Sequence, residues 1–195
     1  MPPAPPPEPT EIAAGRLHLR PWQPGDADAV HDVCQDAELQ RWTSVPSPYR
    51  RADAESYVST ISPQGWQSGT AAHFAVVDAT TAELLASMSL MSVDQEARSA
   101  EVGYWCARHA RGRGVTTEAL GAVCRWGFSG LALQRITWFA YAGNVASRRV
   151  AEKAGFTLEG TLRSYLVQRG QRHDAWIGGL LATDPLPERQ ASRVR

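Results

Sequence analysis

Lysine is nearly absent from this sequence, since Lys153 is the only one among 20 basic residues. The basic residues are matched by 20 acidic ones, so the formal net charge is zero. Proteins that bind nucleic acid by counterion release usually carry a net basic surface, and we therefore expect no nucleic-acid partner. The chain also has no GxxxxGK[ST] segment, which excludes a P-loop nucleotide site.

Cysteine is scarce as well, and membrane-type segments are missing. Cys34, Cys106 and Cys124 lie far apart with no CxxC spacing, which predicts reduced thiols in a cytoplasmic protein. The five histidines show no HxxxH spacing, so we predict no metal site. No apolar run reaches the roughly 18 residues of a membrane span, and the first residues lack the pattern of a signal peptide. We therefore expect no membrane association.

Proline concentrates at the amino-terminal end, where the first 14 residues contain six prolines among small and acidic residues. This composition predicts a disordered leader over residues 1–14. The last residues are polar and interrupted by proline, which predicts a flexible tail over residues 184–195. A single folded domain is expected between them, over residues 15–183.

Within that domain the hydrophobic periodicity predicts the order β-α-α-β-β-β-α-β-α-β-β, a mixed α/β fold. The predicted strands are Leu17–Arg20, Phe74–Val77, Glu83–Val93, Ala100–Cys106, Ile136–Tyr141, Phe156–Arg163 and Ala175–Leu181. The predicted helices are Ala27–Cys34, Arg51–Ile61, one that begins at Val115, and Asn144–Ala154. Turns are expected around Ala79–Ala82 and near Arg169-Gly170-Gln171.

The strongest chemical signal is a strand followed by a glycine loop and a helix. Arg111-Gly112-Arg113-Gly114 separates the fourth predicted strand from the helix at Val115. Such a loop leaves several backbone N–H groups unpaired at the positive end of a helix, and glycine lets an anion approach the backbone closely. No GxGxxG with a following acidic residue is present, so a dinucleotide fold is not expected. The pattern predicts a phosphate-binding loop.

Two motifs resemble those of a known family. Arg111-x-x-Gly114-x-Thr116 resembles the Gln/Arg-x-x-Gly-x-Gly/Ala pyrophosphate loop of GNAT N-acetyltransferases, with Thr116 in place of the final small residue. Asn144-x-x-Ser147, followed by Lys153-x-Gly155-Phe156, resembles a segment of the RimJ/RimL-type branch. Two further segments, Glu159-Gly160-x-x-Arg163 and Arg16–Pro21, are also similar to that branch. The resemblance extends over residues 15–181.

This resemblance implies the GNAT fold, with a central, mostly antiparallel sheet that is flanked by helices and splayed between its fourth and fifth strands. It further implies that acetyl-CoA lies in the gap. The backbone of Tyr104, Trp105 and Cys106 is then expected to pair with the pantetheine arm, and Asn144 to hydrogen-bond it. The pyrophosphate is expected on the backbone of Arg111, Gly112, Arg113, Gly114, Val115, Thr116 and Thr117, with Arg148 or Arg149 reaching the phosphates.

The resemblance also implies two catalytic roles. Glu101 matches the position of a general base for the acceptor ammonium, and the alternative is an ordinary carboxylate at a strand end. Ser147 matches a serine that faces the sulfur and protonates the leaving thiolate, and the alternative is a hydrogen bond within the first helical turn. Ala151 stands where some relatives carry a tyrosine acid, and Tyr165 is a weak substitute. Cys106 is interpreted as a buried small residue, not as an acyl-carrying nucleophile.

The acceptor is expected to be a primary amine, first of all the α-amino group of a protein or peptide. A groove in residues 37–69 would hold it, with Trp42, Pro46, Tyr49 and Trp66 as candidate walls. Three alternatives stay open: a polyamine, amino-sugar or amino-acid acceptor, a non-catalytic acyl-CoA-binding module, and a phosphate- or nucleotide-binding regulator. A homodimer is also open.

Overall fold

A computed structural model describes residues 8–187 of the chain. Most of the predicted leader and tail therefore lies outside the described residues. The strands are β1 Ile12–Ala14, β2 Leu17–Pro21, β3 Ala72–Asp78, β4 Leu84–Asp94, β5 Ser99–Cys106, β6 Arg135–Tyr141, β7 Thr157–Gln168 and β8 Gln171–Leu181. The α-helices are α1 Ala27–Val33, α2 Ala37–Trp42, α3 Arg51–Ser56, α4 Ser62–Ser68, α5 Val115–Gly130 and α6 Val145–Lys153. None of the described helices is long and apolar enough to cross a membrane.

The eight strands form one mixed sheet in the order β1-β2-β3-β4-β5-β6-β8-β7. All neighbours are antiparallel except β5 and β6, which run parallel. The parallel pair needs a crossover connection, and α5 supplies it. The predicted mixed α/β fold with a mostly antiparallel sheet is confirmed.

The two faces of the sheet carry separate hydrophobic clusters. On one face, alternate residues of β3, β4 and β5 pack under α5 and α6, and Phe74, Met88, Val102 and Leu120 are fully buried there. On the other face, the smaller cluster joins Trp22, Val30, Val58 and Ala75 beneath α1 and α3. Side chains alternate between these faces along each strand. Even-numbered and odd-numbered residues of β5 therefore lie on opposite faces of the sheet.

Two elements depart from the predicted order near the amino-terminal end. β1 lies inside the range predicted as a disordered leader, because Ile12 pairs with Leu19 and packs partly buried against the core. α2 was not predicted. Asp36 caps it by accepting a hydrogen bond from the Leu39 N–H at 2.8 Å, and Leu39 is buried. An aspartate before Ala-Glu-Leu-Gln is a recognisable helix start.

The second predicted helix is longer than expected. α3 continues through a π-helical turn, Tyr57–Ile61, into α4, and the segment ends at Gly69 with φ of 71°. Pro63 stands in the first turn of α4, directly after the π-helical turn, and it does not end the helical segment at Ile61.

The closing hairpin is also longer than predicted. The turn falls at Arg169 and Gly170, as expected, and both residues have positive φ (49° and 78°), as a two-residue hairpin turn requires. β7 and β8 extend to the turn because their backbones pair as far as Gln168 with Gln171, although the side chains near the turn are mostly exposed. The residues at these strand ends are mostly polar and show no apolar–polar alternation, so the sequence pattern did not predict them as strand.

Candidate active site

The parallel strands β5 and β6 separate halfway along their length. They pair from Ser99 with Arg135 to Val102 with Trp138, and β5 then continues to Cys106 without pairing to β6. Beyond this point β6 pairs only with β8, as far as Tyr141. The predicted splay between the fourth and fifth predicted strands is therefore present, and it leaves backbone groups of β5 without a sheet partner.

The alternation of hydrogen-bonded pairs shows which groups face the gap. The Ala107 N–H donates to the Leu85 carbonyl at 2.9 Å, which makes this a hydrogen-bonded pair. Alternation then turns the backbone of Trp105 and Gly103 towards β4, and that of Tyr104 and Cys106 towards the gap. The prediction that the Trp105 backbone pairs with a pantetheine arm is therefore wrong, because those groups already serve β4. The Trp105 side chain lines the cavity instead.

A cavity of about 540 Å³ occupies the gap and is lined by residues from both faces of the sheet. Cys106, Thr116, Asn144 and Ser147 line it on the side of α5 and α6. The lining on the other side includes Glu38, Leu39, Trp42, Met91, Glu101, Trp105, Phe139 and Tyr141, together with Leu166 and Val167 of β7. We call the first part the loop half and the second the α2 half. Two molecules, one bound in each half, can contact each other in the gap.

The predicted phosphate loop has the expected free donors. Among residues 8–187, the backbone N–H groups of residues 112–117 make no hydrogen bond, and the first helical bond runs from the Glu118 N–H to the Gly114 carbonyl. Gly112 and Gly114 have φ of 73° and 78°, and a Cβ on either would meet nothing within 4 Å. Six consecutive donors beside open space, at the start of a 16-residue helix, are the arrangement that the predicted phosphate loop requires.

The side chains of this loop mostly serve to hold it. Arg111 Nε donates to the Cys106 carbonyl at 3.2 Å, and its Nη2 donates to Asp36 Oδ1 at 2.8 Å. Arg16 donates to the Arg113 carbonyl at 2.7 Å. Val115 and Thr116 are buried, so the prediction that this segment binds through its backbone fits the geometry. Thr117 is partly buried in the first turn of α5.

Ser147 belongs to a hydrogen-bond network that joins α6 to both separating strands. Its Oγ accepts from Trp138 Nε1 at 3.1 Å and donates to Tyr104 Oη at 3.0 Å. Tyr104 Oη in turn donates to the Ser147 carbonyl at 3.0 Å. Burial raises the pKa of the Tyr104 phenol, so this hydroxyl stays protonated. The sequence reasoning missed the Tyr104 side chain, because only its backbone was expected to act.

Asn144 caps α6, and this fixes the direction of its amide. Its Oδ1 accepts a hydrogen bond from the Ser147 N–H at 3.1 Å. The amide nitrogen is then left as the donor, on a residue that lines the loop half. The predicted hydrogen bond to the pantetheine arm would then run from this nitrogen to an acceptor on the arm. Arg149, by contrast, is exposed on α6 and outside the cavity lining, while Arg148 contacts Glu152 and Trp176.

Glu101 lies one residue before the last β5–β6 pair, in the α2 half. No hydrogen bond or ion pair reaches its carboxylate from residues 8–187, and burial raises the pKa of Glu101 above its ordinary value. A carboxylate whose pKa is raised by burial accepts a proton more readily than a solvated one. It is therefore suited to act as a base in this cavity.

Cys106 lines the same cavity but is a poor nucleophile. Burial raises the pKa of its thiol, an effect that a hydrogen bond with Thr116 only partly opposes. In the part of the chain that the structure describes, no histidine lines the cavity to activate it. This favours the interpretation of Cys106 as a small packing residue.

Of the predicted acceptor walls, only Trp42 lines the cavity. Trp66 is 3% exposed and packs against Phe74 and Trp126, so it belongs to the core. Tyr49 is buried in the smaller cluster. Tyr165 is half exposed and stacks on Phe139. Expectations for Trp66 and Tyr49 were wrong because an aromatic in a loop-rich segment gives no sign of the face it will cover.

Comparisons with known proteins agree with this geometry. The family model described as "Acetyltransferase (GNAT) domain" matches residues 16–157. The chain is 31% identical over 173 residues to "Putative ribosomal N-acetyltransferase YdaF" of Bacillus subtilis, covering 85% of this chain and 91% of that protein. It is 31% identical over 81 residues, 42% of this chain and 45% of that protein, to the Escherichia coli ribosomal-protein-serine acetyltransferase.

Solved structures show the same fold. RimJ of Mycobacterium smegmatis, in complex with CoA-disulfide, superposes with a TM-score of 0.83 at 24% identity, over 92% of this chain and 90% of that chain. A family model that matches most of the chain, together with a relative that covers almost all of it, fixes the family. This chain is an acetyltransferase that belongs to the GNAT family.

Proposed function

We propose that this protein transfers an acetyl group from acetyl-CoA directly to the α-amino group of a protein or peptide. The single observation that carries the proposal is the cavity in the β5–β6 gap, with free backbone donors at one end and an unpaired carboxylate in the other half. The branch resemblance and the relatives that are named as ribosomal-protein acetyltransferases support the acceptor class.

In the loop half, the N–H groups of residues 112–117 would hold the pyrophosphate, and the Asn144 amide would donate to the pantetheine arm. The Cys106 N–H faces the gap and is free to donate to the thioester oxygen. Such a donor stabilises the negative charge that develops on that oxygen during acyl transfer. The acetyl carbon would then lie where β5 and β6 part.

In the α2 half, Glu101 would remove a proton from the acceptor ammonium, and the free amine would attack the thioester carbon. The C–S bond then breaks, and the leaving thiolate needs a proton. Ser147 is the proposed donor on the loop side. The Tyr104 hydroxyl lies 3.0 Å from Ser147 Oγ and could return a proton to it.

The lining of the α2 half fits a cationic, partly apolar acceptor. Among the described residues that line the cavity, the charged ones in this half are the carboxylates Glu38 and Glu101, and the one cation, Arg111, lies at the loop end. Two carboxylates attract an ammonium group, while the aromatic and aliphatic walls suit the side chains of a peptide more than a polyamine with several charges. A cytoplasmic location accompanies the proposal.

A panel of acceptors tests the assignment. We expect CoA release and a single added acetyl group on octapeptides that begin with Ser, Ala or Met, and no product when their α-amine is blocked. Spermidine, free amino acids and an aminoglycoside form the other arms. Efficient turnover of one of these arms, with no peptide above background, would replace the peptide acceptor by a small amine. Binding of CoA without turnover of any amine would favour a non-catalytic module.

A further inference from the structure

Helix α2 is a short element that covers the α2 half of the cavity from outside the sheet. It has six residues, fewer than an isolated helix needs to be stable in water, so its position depends on its contacts. Glu38, Leu39 and Trp42 on this helix line the cavity. Whatever holds α2 therefore also sets the shape of the α2 half.

The amino-terminal end of α2 is fixed to the phosphate loop. Asp36 Oδ1 accepts both the Leu39 N–H and Arg111 Nη2, each at 2.8 Å. Burial raises the pKa of Asp36, but the bonds from Arg111 and Leu39 outweigh it and keep that pKa below its ordinary value. This end is therefore held by a charge-assisted bond.

The carboxyl-terminal end is held from the tip of the β7–β8 hairpin, more than 120 residues away in sequence. Gln168 Nε2 lies within hydrogen-bond distance of the carbonyls of Gln40, Arg41 and Thr43, at 3.1, 3.2 and 2.6 Å, and these acceptors share its two N–H groups. Arg169 adds a bond to the Gln40 carbonyl at 3.0 Å. The last carbonyls of a helix lack partners within it, and one carboxamide here serves three acceptors of that end.

We propose that Gln168 is a positioning residue for the acceptor: it holds the carboxyl-terminal end of α2, and with it Glu38 and Trp42, over the α2 half of the cavity. Gln168 does not line the cavity and acts only through the helix. Trp42 lies close to the turn after β6, since a Cβ on Gly143 would approach its ring to 3.8 Å. Loss of the Gln168 bonds would therefore open the wall of the α2 half, while the bond between Asp36 and Arg111 still holds the other end of the helix beside the loop half.

The inference rests on the proposed function for the identity of the acceptor, so its test has one readout that needs no turnover. Gln168→Met keeps the length of the side chain and removes the donors. Gln168→Lys restores donors that can bond helix carbonyls. Gln171→Met is the matched control, because Gln171 faces Gln168 across the hairpin and is exposed with no side-chain bond among residues 8–187.

Hydrogen–deuterium exchange at residues 37–43 gives the first readout. We expect exchange there to rise about tenfold in Gln168→Met, to return towards the wild-type rate in Gln168→Lys, and to stay unchanged in Gln171→Met. With acetyl-CoA and a Ser-initiated octapeptide, we expect the peptide KM to rise about tenfold in Gln168→Met, while kcat and the acetyl-CoA KM change less than about twofold.

Unchanged exchange in Gln168→Met would overturn the proposal, because the hairpin would then not hold α2. Faster exchange with an unchanged peptide KM would also overturn it, since α2 would not shape the acceptor site. If the wild-type protein turns over no peptide, the proposed acceptor is wrong, and the exchange data still decide whether Gln168 positions α2.

Discussion

Glu101 brings a carboxylate into a half-buried position where no described residue donates a hydrogen bond to it. Glu159 shows the contrast on the same sheet, because Arg135 holds both of its oxygens and keeps the pKa of Glu159 below its ordinary value. A structural carboxylate acquires such a partner, whereas a base must keep its lone pairs free. At the scale of single residues, this difference separates Glu101 from the ordinary charges of the sheet.

The base role predicts a specific kinetic change. Glu101→Gln should lower kcat by about 10²-fold or more, because the amide cannot accept the proton of the ammonium. The acetyl-CoA dissociation constant should stay nearly the same, since Glu101 lies in the α2 half. Exposed Glu96, in the turn after β4, supplies the control Glu96→Gln.

The pH dependence follows from the sign of the shift. Burial raises the pKa of Glu101, and only the deprotonated form accepts a proton. The rate should therefore fall as pH falls through a pKa that is higher than the ordinary value of a glutamate, and Glu101→Gln should lose this limb. If turnover stays within a factor of two and the acidic limb persists, Glu101 is a strand-end carboxylate and another group is the base.

The candidate residues themselves were largely visible in the sequence. Glu101, Asn144 and Ser147 follow from motifs, and all three line one cavity. The Tyr104 hydroxyl and the cavity-lining Glu38 were not assigned roles, because a side chain's partner in another element leaves no trace in its own segment. Gln168 is an extreme case, since its acceptors lie 125 to 128 positions away.

At the scale of elements, α6 is fixed to the separating strands by few but specific contacts. Trp138 of β6 and Tyr104 of β5 both bond Ser147, and Ser147 also bonds the Asn144 cap. These strands no longer pair with each other at Tyr104, so the network replaces ladder hydrogen bonds that the splay removes. The gap can therefore stay open without a loss of order at its edges.

A double-mutant cycle measures this replacement. Ser147→Ala and Tyr104→Phe should each lower the free energy of unfolding, with a coupling of about 1 kcal/mol because one hydrogen-bonded pair is shared. Urea unfolding at neutral pH gives the four values, and Trp138 remains intact in all of them. Strict additivity would show that the two hydroxyls do not depend on each other.

Element boundaries were predictable where periodicity or a cap marks them. The strands β3 to β6 and the helix α5 follow the predicted pattern closely. The sequence pattern failed where stability comes from distant contacts, as in α2, or where exposed polar residues pair only through their backbones, as in the outer parts of β7 and β8. In both cases the local residues alone do not determine the structure.

At the scale of the whole molecule, the sheet is divided by function. The parts of β5 and β6 that pair hold the core together, and the parts that separate leave a cavity lined by residues from both faces. In the proposed function, the cofactor and the acceptor would meet in this gap. Family resemblance implied this splay, whereas residue periodicity did not, because a strand that loses its partner keeps its alternating pattern.

The central claim is that the loop half of this passage holds acetyl-CoA. The most direct measurement is the rise in melting temperature with CoA for wild type, Gly114→Asp and Gly114→Asn. Gly114 has positive φ and open space beside it, and both substituents can adopt that backbone and are nearly equal in size. The two side chains differ in charge, so a comparison of the two variants separates electrostatic repulsion of the pyrophosphate from steric hindrance.

At a CoA concentration about 100 times the dissociation constant, the wild-type melting temperature should rise by about 5–10 °C. Gly114→Asn should keep a reduced rise, and Gly114→Asp should show none. A rise in Gly114→Asp equal to that of the wild type would contradict the account, because the anion would then bind away from the loop that begins α5.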